Sequence, residues 1–239
     1  MSAAARPHAL LLDLGDTLIE PTSYRIEPGV EALLSVATYR NGATVEAVSE
    51  LARELNIEFG RRASDSWLEY SQRVFQRMLY DSFGVSFDRT ELELERMYWD
   101  TALEFAAEPG VEEALDAAAE LGLILGVISN SSFTGPVLSH ELSKQGLDRH
   151  LEFVVSTADY GLRKPHPQVF RVGLQKAGVA PENAWYVGNS LEFDVAGALG
   201  VGMVPVWYNR LGQEGSAPAG SYTIRHWNEL APLLAEALA

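Results

Sequence analysis

The sequence predicts an α/β protein: a doubly wound parallel sheet, interrupted near its start by a helical insertion. Three observations predict it. Apolar runs of strand length recur at 8–18, 123–129, 152–156, 184–188 and 202–207, and from Glu108 onward they alternate with stretches of helical period. Alternation of this kind builds βα units, whose strands lie parallel and buried beneath helices on both faces. Between about residues 22 and 107 the alternation stops and only helical spacing remains. Finally, three of the apolar runs end in polar or turn-forming residues: Asp13, Ser129–Asn130 and Gly188–Asn189. The carboxyl ends of strands are where open α/β sheets form their sites.

In chain order, Leu10, Leu11, Leu12 and Leu14 surround one carboxylate, Asp13, ahead of the turn Gly15–Asp16–Thr17. Burying an unpaired charge is costly. Asp13 therefore belongs at a strand end, either as a capping residue or as a group that attacks phosphorus or carbon or holds a metal. Residues 43–62 carry apolar side chains at helical spacing with Thr44 as N-cap. Residues 64–81 and 88–107 read as further helices, the second opening on Asp88 and Glu91 at capping-box spacing. No strand is expected from 22 to 107. EPGVEEALDAAAELG is a helix, with Pro109 near its first turn and Gly122 near its end. Strand 123–129, helix 133–146, strand 152–156, helix 166–178, strand 184–188, helix 192–200, strand 202–207 and helix 227–238 follow, with a surface loop at 213–222. EPGVE occurs at 27–31 and again at 108–112. Two copies flanking an insertion are a shared helix-start signal, not a repeat architecture. The expected division is a core of residues 1–21 and 108–239 and a helical domain of residues 22–107.

Of 239 residues 47% are hydrophobic, enough for one large core or two smaller ones. The 33 acids against 18 bases give a net charge of −15, which disfavours nucleic acid and anionic membrane surfaces. An anionic substrate must be drawn in by local positive charge. With no cysteine, disulfides, thiolate chemistry and cysteine-bound zinc are excluded. No apolar run reaches membrane-spanning length, and the one in MSAAARPHALLLDL is too short for a signal peptide. A cytoplasmic protein, monomer or homodimer, is expected.

Four segments occur in order: LLLDLGDTL (10–18), LGVISN (125–130), LRKPHPQVF (162–170) and WYVGNSLEFDVAGALGVGMVP (185–205). Together they resemble the four motifs of the haloacid dehalogenase-like (HAD) hydrolase superfamily, in the subclass with a helical cap inserted after the first motif. The resemblance runs from about Leu10 to Arg210. It implies a Rossmann-like core, and Asp13 as the nucleophile that forms an aspartyl-phosphate or, in dehalogenases, an alkyl ester. It implies that the Ser129 hydroxyl, the Asn130 backbone N–H and Lys164 bind substrate oxygens. Lys164 also offsets the crowded negative charge. Asp13, the Gly15 carbonyl, Asn189 and Asp194 would hold Mg²⁺. The implied activity is a Mg²⁺-dependent phosphatase acting on a small phosphorylated metabolite.

Two positions depart from the phosphatase pattern. Gly15 stands where those enzymes carry the Asp that serves as general acid, and Asn189 where they carry the first acid of the fourth motif. Dehalogenases of the superfamily also lack both acids and need no metal. They resemble each other in a tyrosine at the Gly15 position and an asparagine at the Leu191 position, and this chain has neither. A non-phosphatase hydrolase such as a 2-haloacid dehalogenase is therefore the second reading. A binding or regulatory protein on the same scaffold is the third. Asp16 is expected to point away from the chemistry, and Arg25 is a candidate to reach the cleft. His140, His150 and His166 read as ordinary polar residues. Trp67, Tyr70, Phe75, Tyr80, Tyr98 and Trp99 read mostly as the core of the insertion.

Overall fold

The opening apolar run becomes strand β1 (Ala9–Leu12), buried along its whole length. Its alternation is visible in the packing: Leu10 and Leu12 join the apolar cluster on one face of the sheet, Ala9 and Leu11 the cluster on the other. The computed structural model describes residues 6–238, so the ends of the expected core, residues 1–5 and 239, lie outside the described residues.

After β1 the chain forms β2 (Ile19–Tyr24), α1 (Ile26–Ser35), β3 (Ala37–Tyr39), α2 (Val45–Ser66), α3 (Gln72–Ser82), β4 (Ser86–Phe87), α4 (Glu91–Ala102) and β5 (Leu103–Ala107). The alternating part follows: α5 (Val111–Glu120), β6 (Ile124–Ser129), α6 (Gly135–Lys144), β7 (Leu151–Ser156), α7 (Pro167–Ala177), β8 (Ala184–Gly188), α8 (Ala196–Gly200), β9 (Val204–Tyr208), β10 (Tyr222–Ile224) and α9 (Leu230–Leu238). Six strands make one sheet in the order β10-β9-β8-β1-β6-β7, every neighbouring pair parallel. This is the doubly wound α/β architecture the alternation predicts. β1 lies between β8 and β6, so the ends of the first, second and fourth motif strands are neighbours.

Several local expectations need correction. The stretch 22–107 is not free of strands. β2 and β5 pair antiparallel, Ile19 opposite Ala107 and Tyr24 opposite Leu103, and β3 pairs with β4. The helix expected over 88–107 stops at Ala102 because β2 recruits residues 103–107 as a strand partner. Its capping box uses Thr90 and Glu93 instead of Asp88 and Glu91. The helix expected over 64–81 begins only at Gln72, because α2 continues to Ser66 and ends on Trp67 in the left-handed region, with φ 54°. Thr44 caps α2 as expected, its hydroxyl accepting from the Ala47 amide. Both EPGVE copies sit at helix starts, in α1 and ahead of α5. β10 begins at Tyr222, the last residue of the loop expected over 213–222, and is a strand the sequence reading did not expect.

The insertion is pinned to the α/β part by polar contacts. The Gln72 amide donates to the Ser132 carbonyl at 2.7 Å. Trp99 Nε1 donates to Glu141 Oε2 on α6 at 2.8 Å. Glu141 is almost fully buried and also accepts from Lys144 and Gln145, each at 2.8 Å. Burial works against its ionisation, but the bonds from Gln145, Lys144 and Trp99 outweigh this and hold its carboxyl below the usual glutamate value. A depressed folded pKa gives stability that is present above the unfolded value and is lost as pH falls through the folded one. Glu141→Gln should therefore cost about 1–3 kcal/mol at neutral pH. It should also flatten the loss of thermal stability on acidification, read from melting curves between about pH 7 and 3.

Candidate active site

Asp13 follows β1 directly, and its amide donates to the Val187 carbonyl of β8 at 2.9 Å. Its carboxylate is 7% exposed as a residue and is held from two sides. Thr17 Oγ1 donates to Oδ2 at 3.1 Å, so the turn after the strand reaches back to its own aspartate. Lys164 Nζ donates to Oδ1 at 2.7 Å.

Lys164 is 2% exposed and spends all three ammonium donors inside the protein. Besides Asp13 it bonds Asp194 Oδ1 at 2.7 Å and the Tyr186 hydroxyl at 2.9 Å. The Tyr186 hydroxyl in turn donates to the Ile128 carbonyl at 3.0 Å. The backbone of Lys164 is fixed as well. Its amide donates to Asn130 Oδ1 at 2.7 Å, and Asn130 Nδ2 donates to its carbonyl at 3.1 Å. The Asn130 side chain therefore orients the lysine loop.

Asp194 lies in a single wide turn, Leu191–Val195, in which the Val195 amide bonds the Ser190 carbonyl at 3.0 Å. The sequence reading expects an ordinary helix over 192–200. The structure gives a π turn and then the short α8, and such turns inside helices recur at functional sites. Asp194 Oδ2 accepts from the Ser190 amide at 2.9 Å. Gly188 makes room for it: a Cβ there would stand 2.4 Å from Asp194 Cγ.

Burial alone would discourage the Lys164 ammonium, but Asp13 and Asp194 more than reverse this and its pKa is raised. Burial pushes Asp194 up, Lys164 pulls it partly back, and Asp13 adds to the rise. Burial and the two carboxylates push Tyr186 well above an ordinary phenol, so it stays a neutral donor. Two carboxylates around one ammonium leave this buried cluster one negative charge in excess.

The cluster faces an open cleft of about 220 Å³ whose lining includes Asp13, Gly15, Asn130, Lys164, Asn189 and Asp194. Six of the seven residues singled out from the sequence thus border one space. Ser129, the last residue of β6, is 3% exposed and is not among the lining residues. Asp16, expected to point elsewhere, does line the cleft, with φ 55° and Arg210 3.8 Å away. Arg25 instead meets Glu104 at 3.8 Å on an exposed flank. His166 caps α7, its Nδ1 accepting from the Gln168 amide.

Sequence reasoning missed Thr17, Tyr186, Arg163 and Arg210. Arg163 lines the cleft beside Lys164. Arg210 ties Glu20 at 2.8 Å and Glu108 at 3.0 Å to the same end of the sheet. One signal was available: a phenol inside the apolar run AWYVG needs a hydrogen-bond partner once buried.

The hard-oxygen donors around the cleft suit a small divalent cation. Two carboxylates with carbonyl and amide oxygens are enough when water completes the shell. Among the described residues there is no cluster of three or more histidine, cysteine or acidic side chains placed for a metal. Any such ion would rest on the two aspartates and neutral oxygens.

Comparison with known proteins identifies the relatives of this chain. The family model for haloacid dehalogenase-like hydrolases matches residues 43–207. The chain is 32% identical to the phosphoserine phosphatase of Thermus thermophilus, over 96% of this chain and 99% of that protein. It is 27% identical to (S)-2-haloacid dehalogenase 4A of Burkholderia cepacia, over 82% of this chain and 84% of that one. Among solved structures, a HAD phosphatase from Thermococcus onnurineus superimposes with a TM-score of 0.63 at 27% identity, covering 95% and 97% of the two chains. The chain belongs to the haloacid dehalogenase-like hydrolases.

Proposed function

We propose that this hydrolase is a Mg²⁺-assisted phosphatase of small phosphorylated metabolites, with Asp13 as nucleophile and residues 22–107 as a cap over its cleft. The observation that carries the reading is Lys164. Its ammonium, 2.7 Å from both Asp13 and Asp194, fixes one nucleophile-grade carboxylate at a strand end that faces an open cleft. The likeness to a phosphoserine phosphatase over nearly both full lengths supports phosphate as the group transferred.

In this reading an Asp13 oxygen forms a bond to phosphorus while the bond from phosphorus to the leaving oxygen breaks, giving an aspartyl-phosphate and an alkoxide or phenolate that takes its proton from water. Water then attacks phosphorus, freeing phosphate and restoring the carboxylate. Lys164 and the Asn130 backbone N–H balance charge on the phosphoryl oxygens. Asp13, the Gly15 carbonyl, Asn189 and Asp194 would hold Mg²⁺, which supplies positive charge to the phosphoryl group when bound. A second cleft, of about 560 Å³, is lined by Tyr24, Arg53, Asn56 and Tyr70 from the insertion and by Ser132 and Phe133 after β6. It suits the remainder of the substrate.

Gly15 offers no proton to the leaving group, so aryl phosphates should turn over faster than alkyl phosphates. An acid fits there: Gly15 is not in the left-handed region, and a Cβ built on it meets nothing within 4 Å. Gly15→Asp should raise the rate on alkyl phosphates by about 10²-fold and narrow the gap. The test is phosphate release from p-nitrophenyl phosphate and from phosphoserine, with Mg²⁺ and with chelator. Release that needs Mg²⁺ supports the reading. Halide release from 2-chloropropionate without phosphate release would overturn it and place the chain with its dehalogenase relative.

A further inference from the structure

Between α2 and α3, residues 67–69 of the insertion run alongside residues 161–163, the approach to Lys164. The two segments pair antiparallel at Leu68 and Leu162. The Glu69 amide donates to the Gly161 carbonyl at 3.1 Å, and the Arg163 amide donates to the Trp67 carbonyl at 3.0 Å. Main chain alone thus joins the insertion to the lysine loop.

Glu69 adds a second connection through its side chain, which is 4% exposed. Its Oε1 accepts from the Tyr70 amide at 3.2 Å. Its Oε2 accepts from the Thr157 hydroxyl at 3.0 Å and lies 3.9 Å from Arg163 Nε. Thr157 directly follows β7, and its Oγ1 accepts in turn from the Ser131 amide at 3.0 Å. Ser131 follows Asn130, whose side chain holds both the amide and the carbonyl of Lys164. One carboxylate of the insertion therefore reaches two loops of the Asp13 cleft. It meets the loop after β6 through Thr157, and the lysine loop through Arg163. Glu69 is not itself among the residues that line that cleft.

A buried carboxylate is a costly way to fill space, and an apolar side chain of similar volume fills it without that cost. What the carboxylate adds is direction. The Thr157 hydroxyl has a single proton. With that proton on Glu69, the lone pairs of Oγ1 are left for the Ser131 amide. The other acceptor within reach, the Ser131 carbonyl at 3.3 Å, already accepts from the Ala158 amide at 3.1 Å. We infer that Glu69 is a positioning residue, through which the seating of the insertion sets the order of the loops at Asn130 and Lys164. What those loops then do, holding phosphoryl oxygens, rests on the phosphatase reading.

Glu69→Ala, Thr157→Val and the double variant, each in the full chain, test this by kinetics on p-nitrophenyl phosphate and by amide hydrogen exchange. Either single change should lower kcat by about 10–100-fold, the size of loss that misplaced groups produce. The change in KM should be smaller, because the loops act most on charge that develops in the transition state. The double variant should lose less than the product of the two single effects, since both residues act through one chain of bonds. In Glu69→Ala the Ser131 and Lys164 amides should exchange about tenfold faster. Amides of β1 and α9 should keep their parent rates, showing that the fold is intact. Three results would overturn the role: unchanged exchange at both amides, a kcat within about twofold of the parent in both single variants, or single effects that multiply fully in the double variant. Exchange needs no substrate. A parent that releases no phosphate would therefore defeat the phosphatase reading, while the exchange rates would still decide whether Glu69 orders the two loops.

Discussion

Asp13→Asn should remove turnover almost completely while leaving the protein folded. The amide matches the carboxylate in shape, and its one oxygen can still accept from Lys164, but it is not a nucleophile. A drop in kcat of about 10⁴-fold or more is expected when the bond-forming group is lost. Circular dichroism and thermal melts should stay close to those of the parent chain. The parent, quenched in acid after brief exposure to an aryl phosphate, should carry one phosphate on the peptide containing Asp13, and the variant none. The missing acid at Gly15 would also have activated water for the second step. The adduct should therefore accumulate, and a burst of phenol should precede slow turnover. Residual activity within tenfold of the parent (about 1.4 kcal/mol of barrier) would remove Asp13 from the nucleophile's role.

Lys164→Met should damage both stability and activity. The methionine fills similar space but leaves Asp13 and Asp194 facing one another without the cation that lies 2.7 Å from each. Breaking a buried charge cluster from one side costs about 3–5 kcal/mol. The two aspartates then hold their protons more tightly in the folded than in the unfolded chain. Their stability contribution is present at low pH and falls as pH rises through the raised folded values. Urea unfolding should thus show the variant's deficit shrinking from neutral to mildly acidic pH. A deficit independent of pH would mean that packing, not charge, is what Lys164 contributes.

The sheet was legible because it is encoded locally. β1, β6 and β8 are continuous apolar runs ending in Asp13, Ser129 and Gly188, and helices between them leave parallel pairing as the workable arrangement. The spacing of Asp13, Lys164 and Asp194 carried no such local signal. They are 151 and 30 residues apart and meet only through strand order. Their assignment rested on resemblance. What stayed illegible depends on tertiary contacts. Leu103–Ala107 has helical spacing with the residues before it and becomes a strand because Ile19–Tyr24 lies alongside. The proline within β2 disguised its strand character. Asn130 was read for its backbone, yet its side chain spends both ends on the Lys164 main chain. No sequence pattern announces such a contact.

The paired strands β2 and β5 also shape how the molecule can vary. The chain leaves the α/β sheet and returns to it side by side, with the Glu108 amide bonded to the Leu18 carbonyl at 2.9 Å. Topologically the insertion is an appendage tied off at its neck, and its length can change without moving Asp13, since longer loops add closure entropy only slowly. Energetically it is no appendage. Phe75, Leu79, Tyr98 and Trp99 share one apolar cluster with Leu10, Val127 and Trp185. Evolution can remodel what hangs beyond the neck, but a chain cut at the neck would expose the face on which its own sheet is built.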